Sequence, residues 1–122
     1  ATEATRAAMA GGRVAYMMSK SGMTLLTHGL ADERGAGPIA VNSLWPVTLI
    51  ESQATAGLGL GKPEDWRRAD IMADAALAIV RTDPAERTGQ ALLDEDVLRA
   101  AGVTDFDHYA CVQGATPKRI PW

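Results

Sequence analysis

The most regular hydrophobic pattern in the chain runs from about Val14 to Arg34, where apolar residues recur at helical spacing. The apolar residues of this segment are Met17, Met18, Met23, Leu25, Leu26 and Leu30. They go most of the way round a helix, which is typical of a helix buried on nearly all sides. The glycines and proline of residues 35–38 end the pattern, because both residue types interrupt helices. An alanine-rich segment at residues 1–10 also tolerates a helix.

Two shorter segments follow this helix. Residues 39–44 are a run of aliphatic residues bounded by turn signals, which indicates a short buried strand. Residues 47–65 are rich in glycine and contain Pro63, so we expect a loop, and its length is typical of a lid over a substrate. Trp45 and Trp66 flank this loop and either line an apolar pocket or pack in the core.

The remaining sequence predicts a helix, a strand and a further short helix. The second helix starts at about residue 63 or 70 and ends at Thr82, because its apolar residues are spaced for one buried face. These residues are Ile71, Met72, Ala75, Ala76, Ile79 and Val80. Residues 90–93 indicate a strand, and residues 94–101 indicate a helix with Asp94 as its N-cap and Gly102 as its stop.

Composition excludes several classes of function. The 122 residues, 47% of them hydrophobic, suit a single domain with a packed core. A net charge of −3 argues against a nucleic-acid surface, which needs a basic stripe. No run of about eighteen apolar residues occurs, so we expect no membrane span. The single cysteine, Cys111, fits a reducing compartment, and we expect a cytoplasmic protein.

Tyr16 and Lys20 carry the most informative candidate chemistry. Residues four apart on a helix lie on one face, so the ammonium of Lys20 can stabilise a phenolate at Tyr16. A phenol assisted in this way can act as a general acid or base near neutral pH. The pair therefore predicts a proton-transfer device, although the spacing alone also suits a half-buried tyrosine beside a solvated lysine.

The residues around this pair resemble a known family. Val41 and Asn42 follow the helix that carries Tyr16 and Lys20, and Pro46 comes shortly after them. These residues resemble the short-chain dehydrogenase/reductase family. The segments 70–76, 88–95 and 106–110 are similar to its hydroxysteroid dehydrogenase-like subgroup, and the resemblance extends from about residue 14 to residue 114.

The resemblance implies an α/β fold, namely the C-terminal part of a Rossmann-like doubly wound parallel sheet, with three helices and two strands in this chain. Residues 1–122 would form the C-terminal half of a single oxidoreductase domain, and the N-terminal dinucleotide-binding half would be absent from the chain. In line with this, no glycine-rich turn follows a strand. The glycines of residues 57–61 precede Lys62 and Pro63 and indicate a flexible loop.

The resemblance also implies site residues. Tyr16 would exchange a proton with the substrate oxygen, and Lys20 would assist it and contact the ribose of NAD or NADP. The loop that opens at Pro46 would hold the carboxamide end of the nicotinamide through backbone groups. The family more often has glycine where this chain has Val47. The catalytic serine of the family should precede Tyr16, but no serine occurs in this chain before Ser19. The implied cofactor-binding residues are Tyr16, Lys20, Pro46, Val47, Thr48 and Ile50.

An alcohol or ketone would be the substrate, and the apolar residues of the expected lid favour a hydrophobic one. Family members commonly associate through the helix that carries Tyr16, which implies a homo-oligomer, either a dimer or a tetramer. Packing of this helix within one subunit is the alternative. The 122 residues alone should be inactive, because they lack a site for the pyrophosphate. A competing hypothesis is a truncated, non-catalytic fragment that acts only as a packing or oligomerisation module.

Other polar residues have simpler explanations. His28 lies on the Tyr16 helix and suits a packing or interface position. His108 and Cys111 are three residues apart, but a structural zinc site needs four ligands, so we expect no metal. The acidic run at residues 94–96 stands at a helix start, where negative charge suits the helix dipole.

Overall fold

The computed structural model of the protein describes residues 12–35 and 37–120. These residues divide into two compact units. The first unit consists of residues 12–35, 37–43 and 84–91, and the second of residues 44–83 and 92–120. The helical segment expected at residues 1–10 lies outside the described residues.

The first unit contains helix α1, Val14–Arg34, which has the predicted bounds. Gly35 ends this helix with a φ of 55°, and its backbone N–H donates to the carbonyls of Ala31 and Asp32. Thr27 and Ala31 are the buried residues of α1. The prediction of a helix buried on nearly all sides is therefore wrong for the described residues. Its exposed apolar side chains are Val14, Tyr16, Met18, Met23, Leu25 and Leu26.

Asn42 holds the rest of the first unit together. Its side-chain Nδ2 donates to the carbonyl of Arg87 at 2.9 Å, and its Oδ1 accepts from the backbone N–H of Gln90 at 3.1 Å. Next to it, the N–H of Gly89 donates to the carbonyl of Val41 at 2.7 Å. The Val-Asn pair of the sequence thus ties two distant segments together through one amide side chain.

The strands form two sheets of two strands each. Strand β1, Ser43–Trp45, pairs with β4, Ala91–Leu93. Strand β2, Leu49–Ile50, runs parallel to β3, Trp66–Arg67, with Leu49 opposite Trp66. The strand expected at 90–93 is confirmed. The strand expected at 39–44 starts only at Ser43. The backbone N–H of Val41 donates to the side-chain oxygen of Thr88, and Asn42 bonds through its side-chain amide, so these two residues do not continue the ladder.

The segment expected to be a loop is more ordered than its glycine content predicts. Besides β2 it contains helix α2, Gln53–Gly57, and a short 3-10 turn at Pro63–Asp65. Ser52 caps α2, because its side-chain oxygen accepts from the backbone N–H of Thr55. The expectation of three helices and two strands is therefore wrong: among the described residues there are four α-helices and four strands.

The core of the second unit lies between helices α3, Asp70–Val80, and α4, Asp94–Ala100. α3 begins at the second of its two predicted starts and ends two residues early. Ile71 and Ala75 face the core as predicted, whereas Ala76 and Val80 are exposed. The buried members of this core are Ile71, Ala75, Val97, Leu98, Phe106 and Tyr109.

Tyr109 closes this core with a polar contact. Its phenol donates to Oδ2 of Asp74 at 2.7 Å. Burial, together with the hydrogen bond to Asp74, raises the pKa of Tyr109 to about 12.

Gly102 ends α4 as predicted, with a φ of 95°. None of the helices among residues 12–35 and 37–120 combines the length and apolarity that a membrane crossing needs.

Candidate functional site

Tyr16 and Lys20 lie on one face of α1, as their spacing predicts. The Nζ atom of Lys20 is 5.5 Å from the centroid of the Tyr16 ring. The Tyr16 side chain is 57% exposed, and Lys20 is half-buried. A cation over a tyrosine ring is attracted to its negative face. The first unit therefore presents a paired phenol and ammonium at its surface.

The loop that opens at Pro46 belongs to the second unit, and its middle residues face the interior. Val47 is 2% exposed and Thr48 is fully buried. The backbone N–H of Val47 donates to Oδ1 of Asp94 at 2.9 Å. The carbonyl of Val47 accepts from the backbone N–H of Ile120 at 2.8 Å. Both polar backbone groups of Val47 are thus bound to other parts of the chain.

Asp94 is the first residue of α4 and not its N-cap, a position that Leu93 occupies. Its Oδ1 also accepts from the backbone N–H of Glu95 at 2.7 Å. The carboxyl group is fully buried, and within the described residues its Oδ2 makes no hydrogen bond. Burial therefore raises the pKa of Asp94, and the hydrogen bonds from Val47 and Glu95 offset only part of this rise.

Glu95 is buried among arginines. One of its oxygens accepts from Arg67 at 2.6 Å, and the other accepts from Arg119 at 2.8 Å. Arg99 lies one helical turn on, 3.5 Å away. Burial alone would raise the pKa of Glu95, but the hydrogen bonds and charges of Arg119 and Arg67 outweigh it and hold that pKa below its usual value. Glu95 is therefore a buried carboxylate that joins three arginines.

The acidic run at 94–96 thus has a different role from the one expected. Asp94 and Glu95 are buried, and only Asp96 is exposed. A signal for this was present in the sequence, because Asp94 stands three and four residues before Val97 and Leu98. Residues at these spacings share a helix face, and the apolar pair marks that face as the buried one.

Several other candidates have structural roles. The Nδ1 atom of His28 lies 2.9 Å from the carbonyl of Gly89, and since a carbonyl only accepts, Nδ1 carries the proton. Trp66 is buried and donates from Nε1 to the carbonyl of Leu60 at 2.7 Å, so it packs in the core. The ring of His108 packs against the ring of Tyr109 at a tilt of 40°, with centroids 3.9 Å apart.

Cys111 and His108 are candidate metal ligands in the sequence. Among residues 12–35 and 37–120, no group of three or more histidine, cysteine or acidic side chains is placed to hold a metal ion. Burial, and then the charge of Glu51, raises the pKa of the Cys111 thiol. The thiol therefore stays protonated near neutral pH.

Known proteins similar to this chain are dehydrogenases by name. No family model matches the chain. Hydroxysteroid dehydrogenase-like protein 2 of Danio rerio is 46% identical over 103 residues, which are 82% of this chain and 24% of that protein. The Homo sapiens protein of the same name is 42% identical over 101 residues, again 82% of this chain and 24% of the relative.

Solved structures agree with these relatives. A Xanthomonas campestris protein described as a dehydrogenase superposes with a TM-score of 0.79 at 40% identity, over 85% of this chain and 38% of that one. A short-chain dehydrogenase from Mycobacterium thermoresistibile superposes with a TM-score of 0.73 at 42% identity, with the same coverage.

The chain belongs to the short-chain dehydrogenase/reductase family. The resemblance to the C-terminal half of a family member, and to the hydroxysteroid dehydrogenase-like subgroup, is confirmed. So is the α/β fold of a Rossmann-like short-chain dehydrogenase/reductase. The chain spans 24% of the length of the curated relatives quoted above. The activity of the whole protein is therefore a proposal.

We predict that Glu95→Gln destabilises this short-chain dehydrogenase/reductase by about 3 kcal/mol at pH 7, because it leaves the buried Arg67 without a carboxylate. The pKa of Glu95 in the folded protein lies below its ordinary value of 4.5. The ionised carboxylate therefore stabilises the fold fully above pH 4.5, and this stabilisation is lost as the pH falls through the lower pKa of the folded state. The difference between variant and wild type should therefore shrink below pH 4.5. Urea unfolding at several pH values measures it.

The matched control is Glu33→Gln, which removes the same charge from an exposed position on α1. It should change the free energy of unfolding by less than about 0.5 kcal/mol. Equal losses for the two variants, or a loss for Glu95→Gln that is independent of pH, would contradict the account of Glu95.

Proposed function

We propose that the protein is an NAD- or NADP-dependent oxidoreductase that interconverts an alcohol and a ketone. The observation that carries this proposal is the pair on α1, where the Nζ atom of Lys20 lies 5.5 Å from the centroid of the Tyr16 ring. The dehydrogenase names of its relatives support it. Tyr16 is proposed as the general acid/base and Lys20 as its partner.

The residues of the first unit suit the nicotinamide ribose end of such a cofactor, because an ammonium and a phenol can hydrogen-bond a diol. The glycines of residues 57–61 do not suit the pyrophosphate. A Cβ added at Gly61 would lie 3.2 Å from Oδ2 of Asp65. A carboxylate this close would repel a phosphate. The proposal therefore puts the pyrophosphate site outside residues 57–61.

The proposed chemistry is a proton transfer coupled to a hydride transfer. The bound cofactor would accept the hydride of an alcohol or supply one to a ketone. In the oxidation, the phenolate of Tyr16 takes the proton of the substrate hydroxyl, and in the reduction, the phenol returns it to the carbonyl oxygen. Lys20 stabilises the phenolate by its charge and would contact the ribose of the bound cofactor.

We assign the carboxamide end of the nicotinamide to the loop formed by Pro46, Val47, Thr48 and Ile50. Pro46 and Ile50 are half-buried, whereas Val47 and Thr48 are buried. Direct contact between cofactor and the two buried residues would need the loop to move. Val47 and Thr48 therefore act by fixing the loop from inside, and Pro46 and Ile50 offer the accessible surface.

The lid segment supports a hydrophobic substrate, because Leu58 is 68% exposed there and Leu49, Ile50 and Leu60 are half-buried. We also propose that residues 1–122 are part of a single Rossmann-like oxidoreductase domain whose dinucleotide-binding half lies outside this chain. The single cysteine suits a cytoplasmic, reducing location.

A homo-oligomer formed through α1 is part of the proposal. Val14, Met18 and Leu25 are 50%, 65% and 72% exposed, and they share one face with two glycines. A Cβ at Gly22 or Gly29 would meet no atom within 4 Å, so a partner helix could approach closely. Apolar side chains and small residues on one exposed stripe favour helix packing between subunits.

In the full-length protein, Tyr16→Phe should lower kcat by about 100-fold or more, because it removes the proton donor and acceptor. Cofactor affinity should stay close to that of the wild type, since the ring and Lys20 remain. Steady-state kinetics and fluorescence titration with NADPH measure the two quantities. The matched control is Tyr109→Phe, which also removes a phenol but loses only the bond to Asp74. Equal losses of kcat in both variants would refute the assignment.

A polypeptide of residues 1–122 should by itself show neither alcohol oxidation nor quenching on addition of NADPH, because no glycine-rich turn that follows a strand and could hold a pyrophosphate occurs in its sequence. Turnover assays with purified polypeptide check this. Clear turnover would contradict the proposed division of the domain. An inactive polypeptide that self-associates fits both the proposal and its alternative, a non-catalytic packing or oligomerisation module, which the exposed face of α1 also supports. Turnover by the full-length protein distinguishes the two, because the alternative predicts none.

Leu25→Glu in the full-length protein should reduce its mass in solution to that of a smaller assembly, because it places a charge on the exposed apolar face of α1. Light scattering after size-exclusion chromatography measures the mass. Leu58→Glu is the matched control, since it makes the same change at a leucine that is 68% exposed on another segment. An unchanged mass for Leu25→Glu would exclude this face as the interface.

A further inference from the structure

We propose that Asp94 is a positioning residue for the cofactor: it fixes the nicotinamide-side loop, residues 46–50, by accepting the backbone N–H of Val47. This inference rests on the proposed function, because it takes that loop as the one that holds the carboxamide. It adds a residue of α4 that lies far from the loop in sequence.

The inference rests on a buried hydrogen bond between Val47 and Asp94. The N–H of Val47 lies 2.9 Å from Oδ1 of Asp94, and both residues are almost fully buried. A buried backbone N–H without an acceptor costs free energy comparable to a lost hydrogen bond. Val47 therefore keeps this position as long as residue 94 presents an acceptor.

The opposite side of Val47 is held as well. Its carbonyl accepts from the N–H of Ile120 at 2.8 Å, and Thr48 forms an antiparallel bridge with Arg119. Arg119 is in turn bound to Glu95 at 2.8 Å. Two successive carboxylates of α4 thus act on the same loop, Asp94 directly and Glu95 through the segment that contains Arg119.

This arrangement also accommodates the side chain of residue 47. The side chain of Val47 is 2% exposed. It therefore lies in the interior and does not project from the accessible surface of the loop. Because Val47 is pinned at both its N–H and its carbonyl, the accessible residues Pro46 and Ile50 keep a fixed separation. A preorganised loop loses less entropy when it binds a ligand.

The test uses the full-length protein and compares three variants. Asp94→Leu keeps the size of the side chain and removes the acceptor, so the KM and Kd for NAD or NADP should rise about tenfold, the effect of one lost positioning hydrogen bond. The KM for the alcohol should change by less than the KM for the cofactor. Asp94→Asn retains an oxygen acceptor and should restore cofactor KM to within about twofold of the wild type.

Asp96→Leu is the matched control. It removes a carboxylate from the same turn of α4, but residue 96 is exposed, and the cofactor KM should not change. A purely structural role for Asp94 would lower the melting temperature and leave the cofactor KM of the folded protein within twofold of the wild type. That outcome would overturn the inference.

Asp94→Ala provides a second test if Asp94→Leu does not fold. It also removes the acceptor of the Val47 N–H and places a smaller apolar side chain at the buried position. A raised cofactor KM supports the inference, and an unchanged one overturns it. Failure of the proposed function would look different, because the wild type itself would then bind neither NAD nor NADP.

Discussion

The second unit depends on one buried carboxylate, that of Glu95. Burying a charge costs several kcal/mol unless it is paired and hydrogen-bonded, and Glu95 meets this condition with Arg67 on β3 and Arg119 near the end of the described chain. Each arginine is far from Glu95 in sequence, so the carboxylate can be accommodated only when three segments come together. The cost of burial thereby selects one arrangement of these segments.

The two units organise their candidate chemistry in different ways. In the first unit, Tyr16 and Lys20 meet because of helical spacing alone, so any stable helix with these residues would bring them together. In the second unit, the loop at 46–50 has its position through contacts with α4 and with Ile120. The first arrangement is local and robust, whereas the second depends on the packing of the whole unit.

This difference explains what could be predicted from the sequence. The bounds of α1 and the strand at Ala91–Leu93 follow from local periodicity and turn residues, and both were predicted. Strands β2 and β3 have two residues each and pair across a helix and a turn, so no local pattern reveals them. The burial of Glu95 was missed because two of its three arginine partners, Arg67 and Arg119, come from distant parts of the chain.

The exposure of Tyr16 limits what this part of the protein achieves by itself. A phenol that exchanges protons with a substrate benefits from a site that excludes water, since charges interact more strongly there. Tyr16 is 57% exposed in a chain that spans 24% of the length of its curated relatives. Helix α1 therefore orders the phenol and the ammonium, but among the described residues it leaves the phenol open to water. Orientation and desolvation are separate requirements of the proposed chemistry, and helical spacing meets only the first of them.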